Sequence, residues 1–362
     1  MKILDWYILK KLLVTFIFCM LLFTIIAVAV DTSEKTDDFV KTGLSSGEII
    51  TKYYFGFVPH IWGLLFPIFV FIAVIFFTSS MAAKSEIVII LANGISFNRL
   101  LRPYFIGGIF LAIIIWYANR YIIPKANIIR SEFEANYLDG GHPTQSLDFT
   151  SSYYLQIDTN TYAGIKYYDT ALKRSSGFFL EKVYDNKIQL NLRADAMVWD
   201  TSKNNWRLEN VIIREIDNLQ EKVVSIPDTN INLNMEPRDL RKDKYLKDKM
   251  TTPDLKEFIR WQELRGVEGL NTLKVEQYRR SATPVTVLIL TLIGAIIASR
   301  KTRGGSGVHM AIGIAIAAIF IIADRFSTVF SVKGNLPPLI AAWLPNLVFI
   351  VVAIILYRRA QK

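Results

Sequence analysis

The chain has 362 residues, 52% of them apolar, and its mean hydropathy is positive, a balance that fits a polytopic membrane protein better than a soluble domain. Its one cysteine, Cys19, excludes internal disulfides, and three scattered histidines, His60, His142 and His309, give no metal-ligand spacing. The formal charge of +10 would suit nucleic acid, so the position of that charge has to be settled before the class is.

Six stretches are apolar and each is near or above the ~20 residues that cross a hydrocarbon core of ~30 Å. They are roughly Leu12–Val30, Tyr54–Thr78, Tyr104–Ile123, Ala282–Ser299, Val308–Val332 and Leu339–Tyr357, the fifth interrupted by Asp324 and Arg325. The first could be a signal peptide, since "AVA" at Ala27–Ala29 resembles a cleavage site. Its apolar region exceeds the usual length of such a segment, and Lys10 and Lys11 precede it as they would an uncleaved anchor. Pro59 and Pro67 are expected to kink the second span, which is tolerated where neighbouring helices satisfy the freed carbonyls.

Between the second and third spans lies "MAAKSEIVIILANGIS", Met81 to Ser96, apolar enough to be helical and too short to span. Glu86 is the one acid of the 79–103 loop, against Lys84, Arg99 and Arg102, and Ile87, Ile90 and Leu91 recur at helical spacing beside it. The charge asymmetry orients the chain. The N-terminus, the 79–103 loop, the 300–307 loop and the C-terminus hold twelve basic residues and two acidic ones, a surplus equal to the net charge of the whole chain. The middle region, 124–280, carries 24 basic and 24 acidic residues and is neutral. The positive-inside rule therefore places both termini in the cytoplasm and the middle region outside, and the nucleic-acid reading falls away.

From about Leu147 the pattern changes to period two. "AMVWDTSKNNWRLENVIIREI" reads as a hairpin with its turn at "TSKNN" and Trp199 and Trp206 flanking it. Short, regularly spaced strands predict a sandwich or jelly roll, either a plain one with a polar outer face or one open enough inside to hold an acyl chain. "TTPDLKEFIRWQELR" then predicts a connecting helix over 251–265, with a Thr N-cap, Pro at N1 and Asp at N2. No phosphate-binding GxxxxGK[ST], GxSxG, HExxH or CxxC pattern occurs, and "RGGSG" at Arg303–Gly307 reads as a flexible turn.

The expected fold is thus an α-helical polytopic membrane protein with six transmembrane helices and an external β jelly-roll domain inserted between helices three and four. Residues 1–123 hold the first three helices with a cytoplasmic helix at about 81–96, residues 124–250 the β domain, 251–280 a connecting helix and linker, and 281–362 the last three helices.

Four stretches carry a family resemblance: "LDWYILKKLL", "KSEIVIILANGISFNRLLRP", "YRRSATPVTVLILTLIG" and "DRFSTVFSVKGNLPPLIAAWLPN". In this order, around an external β domain, they resemble the lipopolysaccharide-export permeases of the LptF/LptG (YjgP/YjgQ) family, the last stretch being closer to LptG. The resemblance implies an inner-membrane permease with a periplasmic β domain, paired with a sister LptF/LptG-type permease. It implies a cytoplasmic LptB-like ATPase dimer carrying the ATP and Mg, with no cofactor bound by this chain and no catalysis of its own. Lipopolysaccharide would pass to a periplasmic jelly-roll bridge of the LptC/LptA kind. The helix after the second span becomes the coupling helix: Ser85, Glu86, Ile87, Ile90 and Leu91 would meet the ATPase, with Glu86 giving a charge-assisted bond and the apolar residues a contact face. An interfacial helix lying on lipid is the plainer reading of the same residues.

Lys35, Lys41, Arg120, Arg279 and Arg280, near external span ends, together with the intramembrane Asp324 and Arg325, are candidates for lipid phosphates, against a plain reading as snorkelling or structural charges. LptG proteins often have a lysine where this chain has Asp31, with Lys35 one turn on. The resemblance also implies a lateral gate between the first span of one permease and the fifth of the other, where Ile25 and Phe326 are the expected positions. A membrane-anchored assembly or sensor protein displaying the β domain is the alternative; an intramembrane enzyme lacks a nucleophile or metal set.

Overall fold

The computed structural model describes residues 3–138, 153–169, 172–184, 187–201, 203–217, 220–233, 237, 246–264, 269–300 and 305–360. They form two compact units. One is helical (1–133, 247–256 and 271–362) and the other is built mainly of strands (134–246 and 257–270).

The helical unit opens with α1, Ile3–Thr42, 40 residues without a break. At 1.5 Å per residue it is about 60 Å long, twice the hydrocarbon thickness. Ser45 closes a capping box with Glu48 to start α2, Ser46–Ile49, which runs through a π-helical turn at Ile50–Tyr54 into α3, Phe55–Ala83. Pro59 and Pro67 both lie inside α3. The expected single helix over 81–96 is divided. Met81–Ala83 finish α3, Ser85 takes a left-handed backbone at φ 60°, and α4, Glu86–Ala92, follows. Gly94, at φ 79°, ends the segment, and Ser96 caps α5, Phe97–Tyr117. A π-helical turn at Ala118–Ile122 joins α5 to α6, Ile123–Phe133, so the helical unit includes residues beyond 123.

After the β unit come α7, Leu246–Lys249, and α8, Thr252–Leu264, the latter capped by Thr251 as its sequence predicts; Arg265 lies outside the described residues. Then α9 spans Asn271–Ala298, α10 Gly305–Lys333 and α11 Pro338–Arg359. Among the described residues six helices are long and apolar enough to cross a membrane, and the six expected spans fall within them, except that Ser299 lies one residue past α9. Their core has two apolar clusters, one from Ile8 and Leu12 of α1 through Val70 and Val74 of α3 to Val287 and Ile296 of α9, and one joining Phe71 and Ile75 of α3 and Leu290 of α9 to Ala317 of α10 and Phe349 of α11.

The second unit is one six-stranded antiparallel sheet in simple sequential order: β1 Tyr153–Asp158, β2 Thr161–Asp169, β3 Arg174–Tyr184, β4 Lys187–Asp200, β5 Asn205–Asp217 and β6 Gln220–Ile231. The β4–β5 hairpin falls where the sequence placed it, with Trp199 opposite Trp206 and their rings edge-on at 4.9 Å. The connectivity is a meander.

A crease supplies what a second sheet would. One register position is skipped on every ladder from β2 to β6: Lys166 and Gly177, Gly177 and Asp195, Asp195 and Asn210, Asn210 and Pro227 are not paired, although their neighbours on both sides are. Gly177 and Asn210 there have φ of 67° and 52°, and Pro227 has no N–H to give. One residue is skipped on each strand, so the register is kept and these are not bulges; such kinks bend strands. Aligned across five of them, they let the sheet fold so that Ile165, Phe178 and Leu180 on one leaf share a core with Met197, Trp206 and Leu208 on the other.

Candidate functional site

The short α4 and the first turns of α1 and α5 make one cluster. Asp5, buried in α1, accepts an ion-paired bond from Arg99 of α5 at 2.7 Å. Two and six residues further along α1, the Tyr7 hydroxyl donates to Glu86 Oε2 at 3.0 Å and Lys11 Nζ lies 3.5 Å from the same oxygen. Lys11 also sits 4.3 Å over the Tyr7 ring. The i,i+4 spacing of Tyr7 and Lys11 on one helix face is visible in the sequence, whereas their pairing with Glu86 is a tertiary contact that it does not show.

The apolar face of α4 divides. Ile87 is buried in the helical core, and Ile90 and Leu91 pack against it. The surface left to a partner is Val88, Ile89 and Ala92, with Glu86 and Ser85 at its edge. Helical geometry explains the split, because residues at i, i+3 and i+4 form a single stripe, and here that stripe anchors α4 to its own fold.

A second cluster lies at the Thr42 end of α1. Asp31, nearly fully buried, ion-pairs with Lys35 at 2.8 Å and accepts a bond from the Tyr53 hydroxyl at 3.1 Å. Lys35 also bonds Tyr53 and stands 4.7 Å over its ring. Lys41 is exposed and pairs with Asp38 on its own helix. Arg120, in the π-helical turn, rests between the Trp116 and Tyr121 rings at 5.4 and 5.5 Å and donates to the Tyr121 hydroxyl.

A third cluster joins α9 to α10. Arg279 bonds Asp324 at 3.1 Å and Thr328 at 2.5 Å, and lies 3.6 Å from Glu276. The neighbouring Arg280 is buried and fully occupied: Nε faces Glu276 at 3.3 Å, and its two terminal nitrogens donate to the carbonyls of Met250 and Lys247 at 2.8 and 2.6 Å. These groups line a polar cavity of about 320 Å³ with His60, Asn127 and Asn346. Asp248 also faces it, and burial, with Glu276 nearby, raises its carboxyl above the ordinary range. Glu276, absent from the residues chosen by sequence, is the acid that both arginines share. Arg325 also borders this cavity, but it is exposed.

Two apolar faces remain. Only 11% of the most apolar window of α1 and 17% of that of α10 is buried, against 61% for α9. Ile25 and Phe326 stand on these faces, 68% and 61% exposed. The sheet unit has its own cavity of about 940 Å³, lined by Leu180, Leu190 and Leu192 from one leaf and Trp199, Ile231 and Leu233 from the other.

Compared with curated proteins, the chain finds no match. Against protein families, residues 6–359 match the lipopolysaccharide export system permease LptF/LptG, a description that takes both proteins together. A match from the first turn of α1 to the last residue of α11, over six membrane-capable helices and an inserted β sheet, makes the chain a member of the LptF/LptG family, multi-pass inner-membrane permeases of lipopolysaccharide export.

Proposed function

We propose that this chain is one of two permeases in an ATP-driven exporter that draws lipopolysaccharide out of the inner membrane and passes it to a periplasmic bridge. The family match carries the reading, and the exposed α1 and α10 give it a physical form. Two long apolar helices left this bare in a single chain suit a sister permease, whose own first and fifth spans would complete the two seams. Ile25 would then face the sister's fifth span and Phe326 its first, with the lipid passing between.

The energy comes from elsewhere. A cytoplasmic ATPase dimer holding the ATP and Mg docks on the segment from Ser85 to Ala92. Glu86 supplies the polar anchor, and Val88, Ile89 and Ala92 the apolar contact. Both termini are cytoplasmic and the β sheet is periplasmic. Its two-leaf cavity, where Leu180, Leu190, Leu192, Trp199 and Ile231 stand beside Asp158 and Lys182, accepts acyl chains on their way to a jelly-roll bridge protein. Lys41, Arg120 and Arg325, not held in buried ion pairs, are the cations best placed for lipid phosphates. Lys35, Arg279, Arg280 and Asp324 are spent on internal pairs and serve chiefly to hold the spans.

The test is depletion of the chain in cells with lipopolysaccharide followed by fractionation, joined to recovery of the ATPase with Glu86→Lys permease from solubilised membranes. We expect lipid held at the inner membrane and ATPase recovery reduced by one to two decades, the scale of a charge-assisted bond of about 1.5–3 kcal/mol. Normal lipid export after depletion, with full recovery of ATPase on the Glu86→Lys chain, would favour a protein that only displays its β domain.

A further inference from the structure

Glu86 is not an unattached carboxylate awaiting a partner. Both of its contacts come from one face of α1 and fall on one oxygen, Oε2; Oε1 has no hydrogen-bond partner among the described residues. The two contacts differ in kind. The Tyr7 hydroxyl is a well-formed donor at 3.0 Å on a ring with two rotatable bonds. The Lys11 ammonium is at the limit of bonding at 3.5 Å, over a third exposed, on a stem of four carbons. Lys11 nevertheless occupies a made site, between a carboxylate and the Tyr7 ring 4.3 Å below it, a combination that accepts any ammonium or guanidinium.

We propose that the start of α1 is half of the docking site. Tyr7 is a positioning residue that fixes the direction of the Glu86 carboxylate, and Lys11 is a place-holder whose ammonium leaves when a cationic side chain of the docking partner takes its seat. This inference rests on the reading of Glu86 as the docking anchor and adds the two residues that prepare it. Three features support it. The left-handed Ser85 sets Glu86 at the head of α4, where its side chain can reach α1. Exchange of one cation for another keeps the carboxylate neutralised throughout, so covering the site by a partner does not strand a charge. A lysine is suited to leaving, because its compact charge is readily rehydrated and its long stem reaches water. Docking would thereby loosen one of the ties between α4 and α1, the helix whose far half carries Ile25.

Charge exchange and a fixed structural bond predict opposite signs. The measurement is ATPase retained per permease on solubilised complexes over a salt series, for Tyr7→Phe, Lys11→Met and Lys11→Arg, each in the native chain and with Glu86→Gln. Tyr7→Phe, which removes one oxygen, should lower retention roughly three- to tenfold. Lys11→Met should hold or raise retention, because the competitor is gone. Lys11→Arg should lower it, because a forked guanidinium is the stronger competitor. With Glu86→Gln the three substitutions should make no further difference. If Lys11→Met weakens retention as Tyr7→Phe does and Lys11→Arg restores it, Lys11 is a structural partner and the exchange is refuted. If Tyr7→Phe still acts beside Glu86→Gln, it does not work through Glu86. If Glu86→Gln alone lowers retention while the Tyr7 and Lys11 variants match the native chain, this inference fails and the docking role of Glu86 stands. If Glu86→Gln retains the ATPase fully, both fall.

Discussion

Asp324 and Arg325 are neighbours in sequence and border one cavity, yet they are held differently. Adjacent residues on a helix point about 100° apart, and here one is held by Arg279 of α9 while the other is exposed. The two should therefore answer differently to substitution. Asp324→Asn removes one of the two acids around Arg279 and leaves Glu276, so we expect a loss of about 1–2 kcal/mol, short of the cost of orphaning a buried charge. Arg325→Gln should stay within about 0.5 kcal/mol. Thermal unfolding of the two variants in the same detergent checks the contrast, and equal midpoints would remove the special place given to Asp324. Sequence could mark both charges as unusual inside a span but could not choose between them, since the choice depends on which face of α10 meets α9. The same limit hid Glu276, which reads as an ordinary acid until two arginines are seen to converge on it. Glu86 was legible as a lone acid among bases. That its own first helix already holds it was not, because 75 residues separate it from Lys11.

At the scale of elements, composition located the spans and the β4–β5 hairpin well, because hydropathy and turn chemistry are local. It failed on the helix over 81–96, where apolar content continues through a break set by the backbone of Ser85. Helix contacts were hidden too, and Gly56 shows why they matter. A Cβ there would lie 2.5 Å from the backbone nitrogen of Arg130 and 2.6 Å from the carbonyl oxygen of Ala126 on α6, and backbone has little room to yield. Only a residue without a side chain permits so close a crossing. Gly56→Ala should cost about 1–3 kcal/mol as an overpacked contact. Gly47→Ala, with nothing within 4 Å of its Cβ, should be neutral or gain up to about 1 kcal/mol from helix propensity. Unfolding midpoints and yields of the pair, measured side by side, test whether that crossing is rigid.

For the whole molecule, the surplus of ten positive charges in four loops predicts an orientation. A reporter fused after Gly305 should be active only as a cytoplasmic protein, and one inserted at Asn204 only outside; both on one side would overturn the six-span topology. The bare faces of α1 and α10 make a second prediction. In a chain lacking Cys19, cysteines at Ile25 of this permease and at the facing position of the sister's fifth span should crosslink between subunits, as should one at Phe326 with the sister's first span. Crosslinks confined to one chain would mean that these faces meet lipid alone. The number of layers and the order of helices were legible in sequence, whereas the arrangement of the strands was not. Period-two alternation announces a sheet with one buried face, yet it is blind to a row of skipped pairings spread over five strands.

The sequential order of the strands bears on how the chain is made. Each strand pairs with the one before it, so no pairing within the sheet waits for distant chain, and closing short loops is the fast route to β structure. The last strand ends at Ile231, and the fourth membrane-capable helix begins only at Asn271. The sheet can therefore be complete while the second half of the membrane domain is still on the ribosome. The last three spans would then join a chain whose β domain is already closed, with few unpaired edges left to aggregate during assembly.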